Sequence, residues 1–329
     1  MLTVVMYHYV RDLPNTRYPK IKALRTDQFE LQLDHIARTY EVVALADVVQ
    51  AAQGGPSLPQ SACLLTFDDG LADHYETVFP RLRSRSMPGA FFPPGLAIVE
   101  RVLLDVHKIH FILAAAHDQR AVAASMLEQL DRMRERRALL PTAQELRAAY
   151  EHEDRFDTPE VVLIKGALQF GLPADARSEL VDALFAAFVP DDEHELAREL
   201  YLDVAQLREL VHSGMAVGGH GWEHLWLGTL PRSQQAREIR KTVGLLEHVY
   251  ESTPSCWTMC YPYGSYDEHT LELVREHGGA LGLTTQADVA RSLSRPLEIA
   301  RLDTNDLPPK GSHAPDGGLA AVAIDDGGA

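Results

Sequence analysis

Apolar and polar positions along the chain follow two alternating periods. Short apolar runs rich in β-branched residues predict buried strands at Leu2–Tyr7, Glu41–Leu45, Ala62–Phe67 and Gly89–Phe92. The same pattern returns at Met215–Gly219, Trp257–Tyr261, Ala280–Thr284 and Glu298–Leu302. Between these runs, apolar residues recur at helical spacing: Phe29, Leu33 and Ile36 within Thr26–Tyr40, and Tyr75, Val78, Phe79 and Leu82 within Ala72–Ser84. Ile239, Val243, Leu246 and Tyr250 do the same within Ser233–Tyr250. Thr26 is the expected cap of the first helix, and Gly278 the expected stop of a helix over Glu268–His277. Strands alternating with helices imply a parallel sheet with crossover helices. Seven or eight such units favour a barrel over an open sheet.

The stretch from Arg101 to Glu209 breaks this rhythm. It offers no strand pattern and reads as five or six amphipathic helices, among them Asp118–Arg137, Thr142–Glu151, Pro159–Phe170 and Ala174–Phe188. Setting aside roughly 110 residues leaves roughly 220, within the usual range of an α/β barrel. The expected organisation is therefore a barrel built from residues 1–100 and 210–309, carrying a helical insertion at 101–209. That insertion is expected to act as a lid or as the dimer surface of a homo-oligomer. The Gly/Ala-rich end, residues 310–329, is expected to be a poorly ordered tail.

Charge and cysteine content narrow the function. The 329 residues hold 31 Lys+Arg and 47 Asp+Glu, a formal charge of −16, which argues against nucleic-acid or anionic-membrane partners. The three cysteines, Cys63, Cys256 and Cys260, are too few for a disulfide scaffold and suit a reducing compartment. The N-terminal MLTVVMYHYVRD lacks a basic leader, and no run approaches the ~20 apolar residues of a membrane span. The expectation is a soluble cytoplasmic protein.

Four short motifs bear chemistry. Thr66-Phe67-Asp68-Asp69-Gly70 puts two adjacent carboxylates at the end of a buried strand, where they repel unless a cation or shared proton relieves them. A solvated Asx-turn is the competing reading. His220-Gly-Trp-Glu-His224 places two imidazoles at i, i+4, close enough on a helical turn to hold one metal ion. With the acid at Glu223 it is not the H-E-x-x-H of zinc peptidases. Two histidines and Asp69 make a catalytic metal set with coordination left open for water. Cys260-Tyr261-Pro262-Tyr263-Gly264 is a tight turn able to present a backbone N–H, and Met6-Tyr7-His8-Tyr9 ends the first strand.

In combination and order, TFDDG, H-x-x-x-H about 150 residues on and a PYG turn resemble the polysaccharide deacetylase family (NodB-like, carbohydrate esterase family four). The resemblance covers roughly residues 1–100 and 210–305 and not the insertion. It implies a distorted (β/α) barrel of about seven strands and metal-dependent removal of acetyl groups from amino sugars or their polymers. By motif, Asp68 would be the general base, and Asp69, His220 and His224 would hold one divalent metal, most simply Zn²⁺, with Co²⁺, Ni²⁺ or Mn²⁺ as alternatives. The Tyr263 N–H would meet the oxyanion.

Two departures are visible: Cys260 stands where the family has arginine, and no C-terminal L-x-H follows. The N-terminal VMYHYVRD resembles the circularly permuted, exopolysaccharide-deacetylating branch, in which that last motif moves to the front. His8 would then be the general acid, Asp303 would orient it, and Arg301 would replace the missing arginine beside Asp68. Trp222 and Trp226 flank the metal histidines as candidates to stack on a sugar ring, with Trp222 and Tyr263 the expected substrate contacts. The implied substrate is a carbohydrate or small molecule bearing an N-acetyl amino sugar or related amide. Hydrolysis of another C–N bond, as in a cyclic amide or imide, is the competing activity. A non-catalytic carbohydrate-binding barrel would show loss of a site residue, and none of Asp68, Asp69, His220 or His224 is lost.

Overall fold

The computed structural model describes residues 1–153, 157–254 and 256–308; the expected tail at 310–329 lies outside them. The first half contributes strands β1 (Leu2–Tyr7), β2 (Val10–Arg11), β3 (Leu24–Arg25), β4 (Glu41–Val42), β5 (Ala62–Asp68) and β6 (Ala90–Phe92). The second contributes β7 (Ala216–Val217), β8 (Trp257–Cys260), β9 (Gly279–Leu283) and β10 (Leu302–Asp303). β1 and β5 are buried at every residue, the mark of central strands covered on both faces. They pair in parallel from Leu2–Ala62 to Tyr7–Phe67. β6 continues from the other edge of β5, β7 from β6, and β10 closes against β1, giving the order β10-β1-β5-β6-β7. β8 and β9 form a separate parallel pair, tied to the rest by single bridges at Gly219–Met259 and Leu283–Ile299. The architecture is thus α/β with parallel strands, and among the described residues the ladders do not join into one closed sheet.

The period of two sorts the strands into two faces. Val4, Leu64, Phe92, Cys260, Leu281, Leu283 and Ile299 share one apolar cluster. Their neighbours Val5, Leu65, Phe91 and Met259 join another, which packs under the helices. In a parallel sheet all strand C-termini point one way. His8, Asp68, His220 and Tyr263 follow or end such strands and meet on one side, joined there by Arg301 from just before β10.

Helices α1 (Thr26–Thr39), α2 (Leu45–Ala52), α3 (Phe79–Ser84) and α4 (Gly95–Val99) precede the insertion. The insertion then runs as α5 (Asp105–Ala115), α6 (Gln119–Arg134), α7 (Ala143–Tyr150), α8 (Pro159–Gly166), α9 (Ala174–Phe188), α10 (Glu193–Leu200) and α11 (Val204–His212). That is one helix more than the sequence pattern predicts. Helices α12 (Arg232–Tyr250) and α13 (Glu268–Glu276) complete the chain. α5 packs on α9, and α6 on α8 and α9. The insertion's Val106, Ile109 and Ile112 belong to the same apolar cluster as Phe67 and Leu71 of the sheet region. Backbone links reinforce this, with the Leu202 N–H donating to the Gly70 carbonyl at 2.9 Å. No helix among the described residues is long and apolar enough to cross a membrane.

Three local expectations shift. The expected strand over Glu41–Leu45 stops at Val42, because Leu45 opens α2, whose buried face is Leu45, Val48 and Val49. Thr26 is the first residue of α1 rather than its cap; the Gln28 side chain accepts from the Arg25 N–H instead. The last strand slides to Leu302–Asp303, since its register is set by pairing of Val5 with Leu302.

Gly218 passes between layers where a Cβ would lie 2.4 Å from Phe92 Cε1 and 2.7 Å from the Thr258 carbonyl oxygen. The backbone contact leaves no room to yield. Gly218→Ala is expected to cost about 1–3 kcal/mol by overpacking, read as a lower denaturant midpoint at unchanged slope.

Candidate active site

Asp68 ends β5 and Asp69 turns away from it with a left-handed backbone, φ 76°. Both carboxylates are buried, at 1% and 2% exposure, so each needs compensating partners. They find different ones.

Asp69 lies among three imidazoles. His107 Nε2 is 3.3 Å from Oδ2, and the Nε2 atoms of His220 and His224 are each 3.4 Å from Oδ1. Burial alone would raise the Asp69 pKa, but hydrogen bonding from His107 and then the other two histidines holds it well below the usual carboxylate range. The tautomer of His107 follows from its other nitrogen. Burial raises the Tyr201 phenol far above its ordinary pKa, so it keeps its proton. Its oxygen accepts from the Leu104 N–H at 3.1 Å and its hydroxyl donates to His107 Nδ1 at 2.6 Å. His107 Nε2 therefore carries the hydrogen that meets Asp69 Oδ2.

His220 and His224 sit in a loop after β7, not on the expected helical turn. Gly221, φ 70°, and His224, φ 57°, bend it. The buried Glu238 of α12 accepts the Trp222 and Glu223 N–H groups at 3.0 and 2.8 Å. The N-terminus of α4 docks beneath, with Gly95 and Leu96 N–H groups donating to the Gly221 and Trp222 carbonyls. His220 Nδ1 donates to the Cys260 carbonyl at 2.8 Å, which turns Nε2 toward Asp69. Burial pushes His224 down to about 4, so it is neutral near pH 7, whereas at His220 burial is outweighed by Cys260 and then Asp69, which raise its pKa well above the ordinary value until a cation takes the proton's place.

Asp68 instead receives a guanidinium. Arg301 Nη1 donates to Oδ1 at 3.0 Å and Nη2 to Oδ2 at 2.8 Å, while Nε donates to the Thr284 carbonyl at 2.8 Å. The Cys260 thiol donates to Oδ2 at 3.3 Å. Burial pulls the Asp68 pKa upward; Arg301, ahead of His220 and His8, outweighs it, and the pKa is lowered. The arginine that the sequence lacks at position 260 is thus supplied spatially from position 301.

Tyr263 lies in its turn with φ 58°. Three of the six non-glycine residues with left-handed backbone, Asp69, His224 and Tyr263, meet at this site, where such strain tends to gather. The Tyr263 ring stacks on Trp226 at 4.3 Å and meets His224 edge-on at 4.6 Å. Trp226, with Phe170 of the insertion beside it, lines the cleft over Asp68 and Asp69. Trp222 does not; it packs against Gly95 under the Lys241 ammonium, because the bend at Gly221 turns it inward. His8 lines the same cleft as Asp68 and His220. Asp303 shares a cleft wall with His8, and its carboxylate accepts from the Asn305 N–H at 2.9 Å and Nδ2 at 2.7 Å, capping the next turn.

The donor set fits a divalent cation. Asp69 Oδ1 is buried with no hydrogen bond of ordinary length among the described residues, and the Nε2 atoms of two imidazoles face it at 3.4 Å. Those three ligand atoms lie within 4.8 Å of one another. Ligands of a tetrahedral zinc at ~2.0–2.1 Å stand roughly 3.3 Å apart, close to the separations seen here. The alternative grouping of Asp68, His220 and Cys260 is already committed to Arg301 and to the Cys260 carbonyl. His107 is the residue that the sequence reading missed. Its signal was His107-Lys-Ile-His110, two histidines at i, i+3 on one face of a largely apolar helix.

Comparison with known proteins agrees with this geometry. Residues 186–281, which include His220, His224 and Tyr263, match the polysaccharide deacetylase family model. The poly-β-1,6-N-acetyl-D-glucosamine N-deacetylase of Escherichia coli is 32% identical over 92 residues, 28% of this chain and 13% of that protein. The matched part is thus a small fraction of that relative's length. Two solved structures share the fold: Streptococcus pyogenes deacetylase PplD, with TM-score 0.55 and 15% identity over 92% of this chain and 91% of that one, and IcaB from Ammonifex degensii, with TM-score 0.53 and 19% identity over 92% and 90%. The segment that matches the family model thus carries two of the three clustered ligands, and the fold is shared with these two deacetylases along most of the chain.

Proposed function

We propose that this protein is a metal-dependent hydrolase that removes an N-acetyl group from an amino sugar or a closely related amide. The observation that carries the reading is the division of labour between adjacent carboxylates: Asp69 completes a three-ligand cluster while Asp68, ion-paired to Arg301, stands free of it. The two single bridges support reading the parallel strands as an incompletely hydrogen-bonded barrel with its working end at the strand C-termini.

Asp69, His220 and His224 would hold the cation. Bound there, it would supply Lewis acidity, polarising the acyl carbonyl and lowering the pKa of water toward ~7. Arg301 keeps Asp68 ionised, so Asp68 can accept a proton from the attacking water. The Tyr263 N–H stabilises the oxyanion that attack creates. An amine leaves only when protonated, and His8, in the same cleft as the ligands, supplies that proton. Trp226, stacked on Tyr263, offers an aromatic face for a sugar ring. His107 and Tyr201 bring the insertion into the centre. By filling Asp69 Oδ2 with an N–H donor they turn Oδ1 toward the other two ligands.

Asp68→Asn is expected to bind zinc as the wild type does while acetate release falls by roughly 10²–10⁴; undiminished release would remove Asp68 from the mechanism. Tyr201→Phe loses the hydroxyl that sets the His107 tautomer and is expected to weaken metal affinity roughly 10–100-fold in chelator competition. Because Asp303 caps Asn305, Asp303→Asn is expected to leave turnover within about twofold of wild type, whereas His8→Ala lowers it by at least about a hundredfold. A loss with Asp303→Asn that disappears in the His8→Ala background would reinstate a working Asp303–His8 pair.

A further inference from the structure

The helices between β6 and β7 reach the catalytic cleft at a second place besides His107. After α8 the chain widens into a π-helical turn, Ala167–Gly171, and two of its residues, Gln169 and Phe170, line the same cleft as Asp68, His220 and Arg301. Single π-turns recur at functional sites. This one is braced from both sides. The Arg177 guanidinium of α9 donates to the Gln169 carbonyl at 3.0 Å. Glycines stand at its two ends, where a Cβ on Gly166 would lie 2.4 Å from Tyr150 Cδ1 and one on Gly171 2.8 Å from Tyr150 Cε2. A single ring at the end of α7 thus packs against both ends, and the position of the turn is set by packing.

Three buried side chains on the cleft wall carry a polar atom without a hydrogen bond of ordinary length among the described residues. Two of these atoms, Asp69 Oδ1 and His224 Nδ1, belong to the cation site. The third is Gln169 Nε2. Gln169 is 7% exposed, and a dry amide N–H without an acceptor is costly to keep. An N–H donor cannot ligate a cation, so its task is separate from that of the metal ligands; it calls for an acceptor oxygen. The neighbouring Phe170 packs on Trp226 at 4.4 Å, Trp226 stacks on Tyr263, and Tyr263 meets His224. An amide donor beside a run of rings that ends on a metal ligand has the composition of a pyranose site. Apolar faces meet ring C–H groups, and the amide meets a hydroxyl.

We propose that Gln169 is a specificity-determining residue of this site: its amide N–H takes one ring hydroxyl of the amino sugar, so that the helices between β6 and β7 select the substrate. The assignment rests on the deacetylase reading for the reaction, and on the unpartnered amide for the contact.

The test measures acetate release by the zinc-loaded protein from the methyl glycoside of N-acetylglucosamine and from its 3-deoxy, 4-deoxy and 6-deoxy analogues. Wild type is compared with Gln169→Met and Gln169→Leu, which keep the bulk and remove the donor. With the wild type, one deoxy analogue is expected to fall at least about tenfold below the parent in kcat/KM, because loss of its hydroxyl leaves the amide unmatched. In both variants that ratio is expected to shrink to within about threefold, while the ratios for the other two analogues stay as they were. Each ratio is taken within one preparation, so a loss of folded protein cancels, and a purely structural Gln169 would lower the parent and its analogues alike. Discrimination unchanged in both variants, or a wild type that discriminates against none of the analogues, would overturn the assignment. If nothing releases acetate, the deacetylase reading fails, and calorimetric binding of the same glycosides to the zinc-loaded protein decides the contact. Parent binding that weakens at least about fivefold in both variants, and no further on removal of one hydroxyl, upholds it; absent or unaltered binding overturns it.

Discussion

The site depends on how a fully buried carboxylate is satisfied. Asp69 sits where an ionised group is costly, and its two oxygens take on different tasks. Oδ2 receives the His107 N–H, fixed in turn by Tyr201, while Oδ1 faces the Nε2 atoms of His220 and His224 at 3.4 Å. A dry carboxylate oxygen facing two imidazole nitrogens is satisfied by a shared proton or by a cation, and a bound cation displaces the proton. The left-handed turn at Asp69, the bent loop at His224 and the cradle made by Glu238 all hold that arrangement in place.

The neighbouring carboxylate shows how the same strand end supports a second role. Asp68 is as deeply buried as Asp69, yet a bidentate guanidinium compensates it. Arg301 arrives from the last strand and also ties Thr66 and the Thr284 carbonyl, so the base is anchored to three parts of the sheet region. Cys260 links the two halves: its thiol donates to Asp68 and its carbonyl orients His220. A small side chain at position 260 leaves the space that Arg301 fills.

The parallel strands, the crossover helices and the run of helices between β6 and β7 were legible from periodicity, because buried strands read as short apolar runs. Boundaries failed where tertiary pairing decides them. The Glu41–Leu45 run divides between a strand and a helix, and the last strand follows its partner β1 rather than its own apolar run. The residues on TFDDG, H-x-x-x-H and PYG meet in space, and Arg301 meets Asp68. What pattern could not supply was the direction of individual side chains. Trp222 turns inward at a left-handed glycine, and Asp303 serves a local cap. His107 lay hidden in the insertion, since a contact between positions 69 and 107 has no local signature. Its presence makes the insertion part of the site's wall.

The central claim is that Asp69, His220 and His224 form one cation site on which the chemistry is built. Calorimetric titration of zinc into chelator-stripped protein, with Asp69→Ala and His224→Ala alongside, tests it most directly. The account predicts a single tight site of one ion per chain, lost in both variants. Absence of a tight site, or one indifferent to both substitutions, would contradict it.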